Sequence, residues 1–463
     1  MDHEGQDSAR QAACGLDEAA DHHNNQDDAD VEGGARRQGL DQTMHGRRRK
    51  GYWVSARIWG EWVECFHNKS SISNPSTESY SNGKTRVPVI RGNNLPAASL
   101  FLDDDFVFVT EEKADDLRSN AAYPGDVIFT QRGTLGQVGI IPLEAKFPRY
   151  VISQSQMKLS VDPEKADARF VYYFFRMPST VQAVINHALT SGVPHINLGI
   201  LKDFEIPLPH ITVQERIVDI LSAYDDLIEN NRRRMALLEE AARQLYWEWF
   251  VRIRFPGHEY TRITDGVPEG WARQRLGNIA ECVGGGTPST SVSSYWEDGD
   301  VTWVTPTDVT RNNHFVLLDS EKKITAAGLQ NSSAKLVPPH AVLMTSRASV
   351  GFFAVAGREV CTNQGFISVV PHKDVLSPYL LFHLSARVEE IRSMGSGSTY
   401  PEVSRGKFRE FEVMMPEMKL VSLFAEQAEL LLKQIRVLKQ QNQKLRAARD
   451  LLLPRLMSGE VAV

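Results

Sequence analysis

Residues 217–249 read IVDILSAYDDLIENNRRRMALLEEAARQLYWEW, and this stretch decides the fold. Seam residues recur in it at alternating spacings of four and three, which keeps them on one side of an α-helix. They are Ile217, Leu221, Tyr224, Ile228, Asn231, Met235, Leu238, Ala242, Leu245 and Trp249. The pattern predicts a long helix with a mostly apolar seam.

The same seam occurs again near the C-terminus. Adding 207 to each number gives Phe424, Ala428, Leu431, Ile435, Leu438, Asn442, Leu445, Arg449 and Leu452. Two matched helices in one chain predict antiparallel packing, in which the numbers of facing residues add up to 673. The facing pairs are then Ile228 with Leu445, Asn231 with Asn442, and Met235 with Leu438. A buried asparagine fixes a register when it meets a polar partner, so this coincidence favours the antiparallel arrangement.

The segments that precede the two helices are copies of each other. Residues 123–136 match residues 338–351 at an offset of 215, and residues 202–206 match residues 409–413 at an offset of 207. Such a period is too long for a solenoid. The chain is therefore a duplicated unit, in which each copy has one globular head and one long helix.

This organisation divides the chain into five parts. They are a disordered tail (1–50), head 1 (51–210), a central helix (211–251), head 2 (252–418) and a C-terminal helix (419–457). The predicted fold class is α+β, with two pseudo-symmetric α/β heads separated by two long antiparallel coiled-coil helices. The helix pair would act as a spacer of about 50 Å.

The short apolar runs of head 1, separated by turn-forming residues, predict its strands and helices. Strands are expected at 87–90, 106–109, 127–130, 138–141 and 156–161, and helices at 168–176 and 178–189. Thr212 and Glu215 have the spacing of a capping box at the start of the central helix.

Composition narrows the class of protein. The net charge of -6 comes from the tail, where residues 1–43 hold 11 acidic and 3 basic side chains and leave 47 acidic and 49 basic ones elsewhere. A near-neutral body is compatible with DNA binding, because local basic surface decides that affinity. The chain has no apolar signal segment or membrane span, which favours a cytoplasmic location. Its four scattered cysteines support neither a zinc site nor a disulfide framework.

Polar loops recur at equivalent places in both heads. A pseudo-symmetric protein suits a pseudo-symmetric ligand such as duplex DNA, whose half-sites repeat about every 34 Å. Loop side chains of these types bond phosphates or read base edges, although each is also an ordinary loop residue. The candidates are Arg91, Asn93, Asn94, Gln131, Arg132, Thr134, Gln154, Gln156, Thr307, Ser346, Arg347, Asn363 and Gln364.

Motifs for catalysis are weak in this sequence. The segment 83–85 resembles a phosphate-binding loop but lacks its first glycine, and 284–286 is a glycine-rich turn without the dinucleotide fingerprint. Asp308 with the charged run 321–323 fits a loop carboxylate and a solvated surface better than a nuclease site. The Asn-Pro-Pro-aromatic signature of adenine methyltransferases is absent from the sequence.

The segments 89–94, 124–133, 214–217, 286–289 and 452–460, together with the duplicated layout, resemble the specificity subunit of type I restriction-modification enzymes. The resemblance covers residues from about 51 to the C-terminus. It implies a non-catalytic subunit with two target recognition domains that read a split DNA target. It also implies partners: methyltransferase subunits that use S-adenosylmethionine, and motor subunits that use ATP and Mg²⁺.

Trp247 and Phe250 lie off the helical seam. They are equally compatible with packing on their own head and with anchoring a helix of a partner subunit. Two rival functions also remain open: a coiled-coil scaffold whose heads bind protein, and a stand-alone restriction enzyme.

Overall fold

The computed structural model describes residues 53–57, 63–66, 86–96, 99–188, 194–312, 314–395 and 401–463. The predicted tail 1–50 and the segment 83–85 lie outside these residues, so the expectations for them are not addressed by the structure.

Head 1 alternates short strands with helices. Its described strands are β1 (Trp53–Arg57), β2 (Val63–Phe66), β3 (Arg86–Ile90), β4 (Val107–Thr110), β5 (Ala121–Ala122), β6 (Val127–Thr130), β7 (Val138–Ile140), β8 (Tyr150–Ile152), β9 (Gln156–Val161) and β10 (Glu205–Pro209). Its helices are α1 (Glu111–Asp116), α2 (Ala168–Arg176), α3 (Pro178–Asn186) and α4 (Leu198–Lys202). The predicted strands and helices are confirmed to within one residue, except that α3 ends three residues early.

The first long helix, α5 (Ile211–Tyr246), leads into head 2. The described strands of head 2 are β11 (Ile263–Thr264), β12 (Val267–Pro268), β13 (Ala272–Arg275), β14 (Ala280–Gly284), β15 (Val301–Val304), β16 (Val316–Leu317), β17 (Lys322–Ile324), β18 (Val342–Thr345), β19 (Phe353–Ala356), β20 (Cys361–Thr362), β21 (Phe366–Pro371) and β22 (Glu412–Met415). The helices are α6 (Leu276–Ile279), α7 (Pro306–Thr310), α8 (Ala326–Gln330), α9 (Leu376–Ala386), α10 (Val388–Ser393) and α11 (Arg405–Arg409). The second long helix, α12 (Met418–Met457), follows.

The sheets of the two heads share one topology. In head 1 the order β2-β9-β6-β7 forms one sheet, and in head 2 the order β14-β21-β18-β19 repeats it, with β16 added at the edge. A second sheet in each head contains one parallel pair, β3 with β8 and β15 with β20. In both heads the last strand before the long helix pairs with an early strand, β1 with β10 in head 1 and β13 with β22 in head 2. The sequence repeat is therefore a repeat of the fold.

The two long helices contribute to the cores of both heads. The beginning of α5, at Ile217 and Leu221, packs with head 1 together with Leu453 and Leu456 from the end of α12. The second half of α5 and the first half of α12 pack instead with head 2. Hence α5 and α12 run antiparallel, and each head is completed by a segment that is distant in sequence.

Two expectations about the central helix were wrong in detail. The side chain of His210 caps α5 by accepting a hydrogen bond from the backbone N–H of Thr212, so the capping box of Thr212 and Glu215 does not form. After Tyr246 the chain widens into a π-helical turn, Trp247–Val251. The C-terminal helix ends at Met457 as predicted, and its last turn accommodates Pro454 because only one carbonyl near the helix end loses its bond there.

Candidate nucleic-acid interface

The polar loops of head 1 meet on one surface. The backbone N–H of Gln131, after β6, donates to the carbonyl of Ser155 at 2.7 Å. The N–H of Ser153 donates to Ile90, at the end of β3, at 3.0 Å. The N–H of Ile196, before α4, donates to the carbonyl of Gln131 at 3.1 Å. These bonds hold four loops together although they are far apart in sequence.

Head 2 repeats the same three hydrogen bonds. The N–H of Ser346 donates to Gly365 at 2.7 Å, and the N–H of Asn363 donates to Val304 at 3.0 Å. The N–H of Val403 donates to the carbonyl of Ser346 at 2.9 Å. Each head thus presents an equivalent loop surface built from a β-hairpin, the end of a parallel strand pair and the segment before a short helix.

Seven of the candidate residues are exposed on these two surfaces. They are Asn93, Arg132, Thr134, Gln154, Thr307, Arg347 and Gln364. Their side chains are available to a ligand that approaches the loops. Arg132 and Arg347 occupy equivalent positions, because Arg132 forms a backbone bridge with His195 and Arg347 forms one with Glu402.

Four candidates must be corrected, because the structure buries them. The exposed fraction is 1% for Asn94, 8% for Gln131, 1% for Gln156 and 3% for Ser346. The amide of Asn94 accepts from the N–H of Arg91 at 2.9 Å and donates to two carbonyls, those of Leu102 at 3.1 Å and Asp104 at 3.0 Å. Asn94 therefore has no donor left for a base, and burial withdraws the other three side chains from the exposed loop surface.

Two further candidates are half-buried and take part in loop structure. Asn363 accepts a hydrogen bond from the N–H of Gly365 at 2.9 Å through its Oδ1. Arg91 donates to the carbonyl of Asp105 at 3.3 Å. Both positions lie on the loop surface, but part of each side chain is already engaged there.

Arg347 of head 2 is held by an acidic neighbour. Its Nη2 lies 2.9 Å from Oε1 of Glu402, and both side chains are exposed. The hydrogen bond to Glu402 raises the pKa of Arg347, so the guanidinium stays charged. An exposed pair of this kind is weak and opens readily when a phosphate or a base competes.

The glycine-rich turn after β14 serves packing. A Cβ on Gly285 would lie 2.0 Å from the carbonyl oxygen of Asn363, and one on Gly286 would lie 2.2 Å from Oγ of Ser333. Only glycine lets this turn approach the loop that carries Asn363 and Gln364. Oγ1 of Thr287 then donates to Oε1 of Gln364 at 2.5 Å, which adds the turn to the loop surface of head 2.

Asp308 is also a structural residue. Its Oδ2 accepts from the N–H of Thr305 at 2.7 Å and from the hydroxyl of the same residue at 2.6 Å. Its Oδ1 accepts from the N–H of Glu321 at 2.9 Å. The described residues contain no group of three His, Cys, Asp or Glu side chains that would hold a metal ion.

Asn231 and Asn442 meet at the centre of the helix pair. Nδ2 of Asn231 donates to Oδ1 of Asn442 at 2.9 Å, and Nδ2 of Asn442 donates to the carbonyl of Ile228 at 3.1 Å. The neighbouring seam residues Ile228, Met235 and Leu438 are buried, and Leu445 is half-buried. The structure therefore aligns the two helices in the predicted register, in which the numbers of two facing residues add up to 673.

A buried ion pair next to head 1 was missed by sequence reasoning. Nη1 of Arg449 bonds Oδ1 of Asp225, and their side chains are only 4% and 3% exposed. The hydroxyl of Tyr173, on α2, donates to Oδ2 of the same aspartate at 2.6 Å. A signal was available, since an arginine at a seam position requires a buried opposite charge.

A second polar contact, also missed, holds head 2 to both helices. Oε2 of Glu239, on α5, accepts from the N–H of Phe315 at 2.7 Å. Nζ of Lys439, on α12, donates to the carbonyl of Val316 at 2.6 Å and also bonds Oδ1 of Asn312. The pKa of Lys439 is lowered to about 8, chiefly by burial; Glu239 opposes this shift and Arg446 adds to it. No motif marked these residues, because their partners are mostly backbone groups.

Comparison with known proteins decides the family. The family model described as the type I restriction modification DNA specificity domain matches residues 64–240 and again residues 268–446. Each match contains one head and part of the helix that follows it. The chain belongs to this family. The resemblance read from the motifs is thereby confirmed, together with the function that it implies, DNA recognition for a type I restriction-modification system.

Relatives in this family are specificity subunits. The MjaIX subunit of Methanocaldococcus jannaschii is 34% identical over 152 residues, which is 32% of this chain and 35% of that protein. The HindI subunit of Haemophilus influenzae is 20% identical over 401 residues, 73% of this chain and 86% of that protein. The EcoR124I/EcoR124II subunit of Escherichia coli is 25% identical over 283 residues, 58% and 63% of the two chains.

A solved structure shares the fold. The S subunit of the type I restriction-modification system from M. genitalium superposes with a TM-score of 0.52 at 15% identity. The match covers 88% of this chain and 97% of that one. The two-headed architecture is thus the fold of a known specificity subunit.

The aromatic side chains after α5 have separate roles in this specificity subunit. Phe250 is 9% exposed and packs against Phe424 and Tyr379, with ring centroids 5.1 and 4.9 Å away. It belongs to the core of head 2, so its proposed docking role is corrected. Trp247 is 42% exposed and remains available to a partner.

Among the described residues, no helix is both long enough and apolar enough to span a membrane.

Proposed function

We propose that each head of this specificity subunit reads one half of a bipartite DNA target. The observation that carries the proposal is the duplicated loop surface, with Arg132 and Arg347 exposed at equivalent positions in the two heads. Exposed arginine, asparagine and glutamine side chains provide the donors that bind phosphates and the bidentate geometry that reads guanine or adenine.

The paired helices act as the spacer between the two half-sites. Helix α5 has 36 residues, and a helix of this length extends about 54 Å at roughly 1.5 Å per residue. Duplex DNA presents equivalent groove faces about every 34 Å. A coiled-coil pair pinned by Asn231 and Asn442 fixes the separation of the heads, and with it the length of the unread DNA between the half-sites.

Methyltransferase subunits dock on the outer face of the helix pair. Exposed apolar residues recur on α12 at multiples of seven, namely Leu423, Leu430, Val437 and Leu451. This stripe, together with exposed Trp247, suits the apolar face of a partner helix. Adenine methylation with S-adenosylmethionine then takes place on those subunits, and motor subunits supply ATP- and Mg²⁺-dependent cleavage.

The test is methylome sequencing of a host that expresses this chain with its methyltransferase subunits. The wild-type complex should methylate a split sequence. Arg132→Ala should relax or abolish recognition of one half-site, and Arg347→Ala should affect the other half-site. Lys113→Ala is the control, because Lys113 lies in α1, which follows Thr110 at the far end of the β3–β4 pair from the loops. Methylation without sequence preference, or no DNA binding at all, would favour a protein-binding scaffold.

A further inference from the structure

Helix α11 of head 2 carries three cations in five residues. Arg405, Lys407 and Arg409 are all exposed, while Phe408 points into the core and is 0% exposed. None of the three cations forms an ion pair within the part of the chain that the structure describes. Two nearby arginines, Arg273 and Arg275, are by contrast neutralised by exposed glutamates of the same region.

This helix begins at the rim of the loop surface. It follows Val403, whose N–H donates to Ser346, and Glu402, which pairs with Arg347. Nη1 of Arg405 lies 3.5 Å from the position that a Cβ on Gly284 would occupy. The glycine turn that starts there packs against the loop of Asn363 and Gln364. The Arg405 guanidinium is therefore continuous with the candidate DNA surface.

Arg409 lies one turn further from the loops. Its Cβ is 3.3 Å from the position of a Cβ on Gly277, and it lines a surface cavity together with Glu281 and Glu410. Those two carboxylates reduce the attraction of this end of the helix for an anion. The attraction is greatest at the loop end, where Arg405 and Lys407 stand.

Head 1 has no cations at the places equivalent to Arg405 and Lys407, and only Lys202 matches Arg409. Helix α4 has the same cap geometry, since Asn197 accepts from the N–H of Ile200 as Ser404 accepts from the N–H of Lys407. In α4, however, Leu198 and Ile200 stand where α11 has Arg405 and Lys407, and both are half-buried against the core of head 1. The fold of this helix therefore does not require cations.

We propose that α11 extends the DNA interface of head 2, with Arg405 and Lys407 contacting backbone phosphates. The inference rests on the proposed DNA-reading function and adds an asymmetry to it. Phosphate contacts position a protein on DNA without reading its sequence. Head 2 is then the half of the subunit whose DNA binding depends more strongly on salt.

The test compares two charge-matched double variants of the full chain assembled with its methyltransferase subunits. Arg405→Gln with Lys407→Gln removes the proposed contacts. Arg358→Gln with Lys373→Gln removes two exposed cations that flank β19 and β21 at the ends away from the loop surface. Affinity is measured between about 50 and 200 mM salt on two duplexes, one with the methylated target sequence and one with that sequence scrambled.

The α11 variant should lower the slope of log affinity against log salt by roughly 1.8, since each lost phosphate contact removes about 0.9. Affinity should fall by the same factor on both duplexes, while the control keeps the wild-type slope. A wild-type slope in the α11 variant overturns the proposal. So does a loss of subunit assembly with an unchanged slope, which would assign α11 to a protein partner. If the wild-type complex does not discriminate between the duplexes, the target-reading function fails, whereas a changed slope still supports the phosphate contacts.

Discussion

Nδ2 of Asn231 donates a hydrogen bond to Oδ1 of Asn442 at 2.9 Å, across the interface of the two long helices. The side chains are 7% and 3% exposed. Two buried amides in a mostly apolar seam cost stability unless they meet, and they meet in only one register. This pair therefore determines how the two halves of the duplicated chain are aligned.

Replacing one member of the pair should cost more than replacing both. Asn442→Leu leaves the Asn231 amide buried without its side-chain partner, which should destabilise the chain by about 1–3 kcal/mol. The double variant with Asn231→Leu should recover part of that loss. Urea unfolding of the double-mutant cycle measures the coupling, with exposed Asn230→Leu as the control. Strictly additive effects would show that the two amides do not interact.

Arg449→Met should be strongly destabilising. It leaves the carboxylate of Asp225 buried with only the Tyr173 hydroxyl bonded to it, and such unpaired buried charges cost about 3–5 kcal/mol. Arg455→Met removes an exposed pair with Glu460 and should change stability by less than about 1 kcal/mol. Thermal unfolding of both variants gives the comparison. Equal effects would mean that the buried pair contributes no more than a surface pair.

Lys439 should make stability depend on alkaline pH. Its pKa is about 8 in the folded chain and 10.5 is its ordinary value. Between these two pH values the unfolded chain binds more protons than the folded chain. The stability of the wild type should therefore rise with pH relative to that of Lys439→Met. Urea midpoints of both proteins at about pH 7 and about pH 10 test the sign. A constant difference between them would show that Lys439 does not titrate in this window.

Glu402→Gln should increase the affinity of head 2 for DNA of any sequence. The change removes a negative charge from the loop surface and releases Arg347 from its ion pair. Binding of the assembled complex to scrambled duplex measures the effect, which should fade at high salt. Glu412→Gln is the control, because it breaks a comparable exposed pair with Arg273 on the β13–β22 sheet. Equal gains in both variants would indicate a general charge effect.

Substitutions of the two aromatic residues after α5 should have different effects, one on the stability of the fold and the other on the docking of partner subunits. Phe250→Ala removes a ring from the core of head 2 and should cost about 3–5 kcal/mol of stability. Trp247→Ala should leave the unfolding midpoint near that of the wild type but weaken assembly with methyltransferase subunits. Co-purification and thermal unfolding distinguish the two effects. Normal assembly of the Trp247 variant would remove this residue from the docking surface.

Local sequence patterns were sufficient to predict much of the fold. The strands of head 1, both long helices and the register of Asn231 with Asn442 follow from periodicity and from the repeat, since these features depend on residues close in sequence or on a strict spacing. The loop surface was predictable only in outline. Asn94, Gln156 and Ser346 have side chains typical of DNA contacts, but the structure uses them to build the loops, and no sequence pattern separates the two uses.

The sequence by itself determined the duplication, the two heads, the helical seam and the family, because these properties lie in order, spacing and residue type. Only the tertiary structure decided which polar side chains are exposed, that Arg449 meets Asp225, and that Lys439 and Glu239 hold head 2 to the helices. Those contacts join residues that are between 76 and 224 positions apart. Such pairs form when the chain closes on itself, so burial and charge pairing there depend on the complete fold rather than on any local pattern.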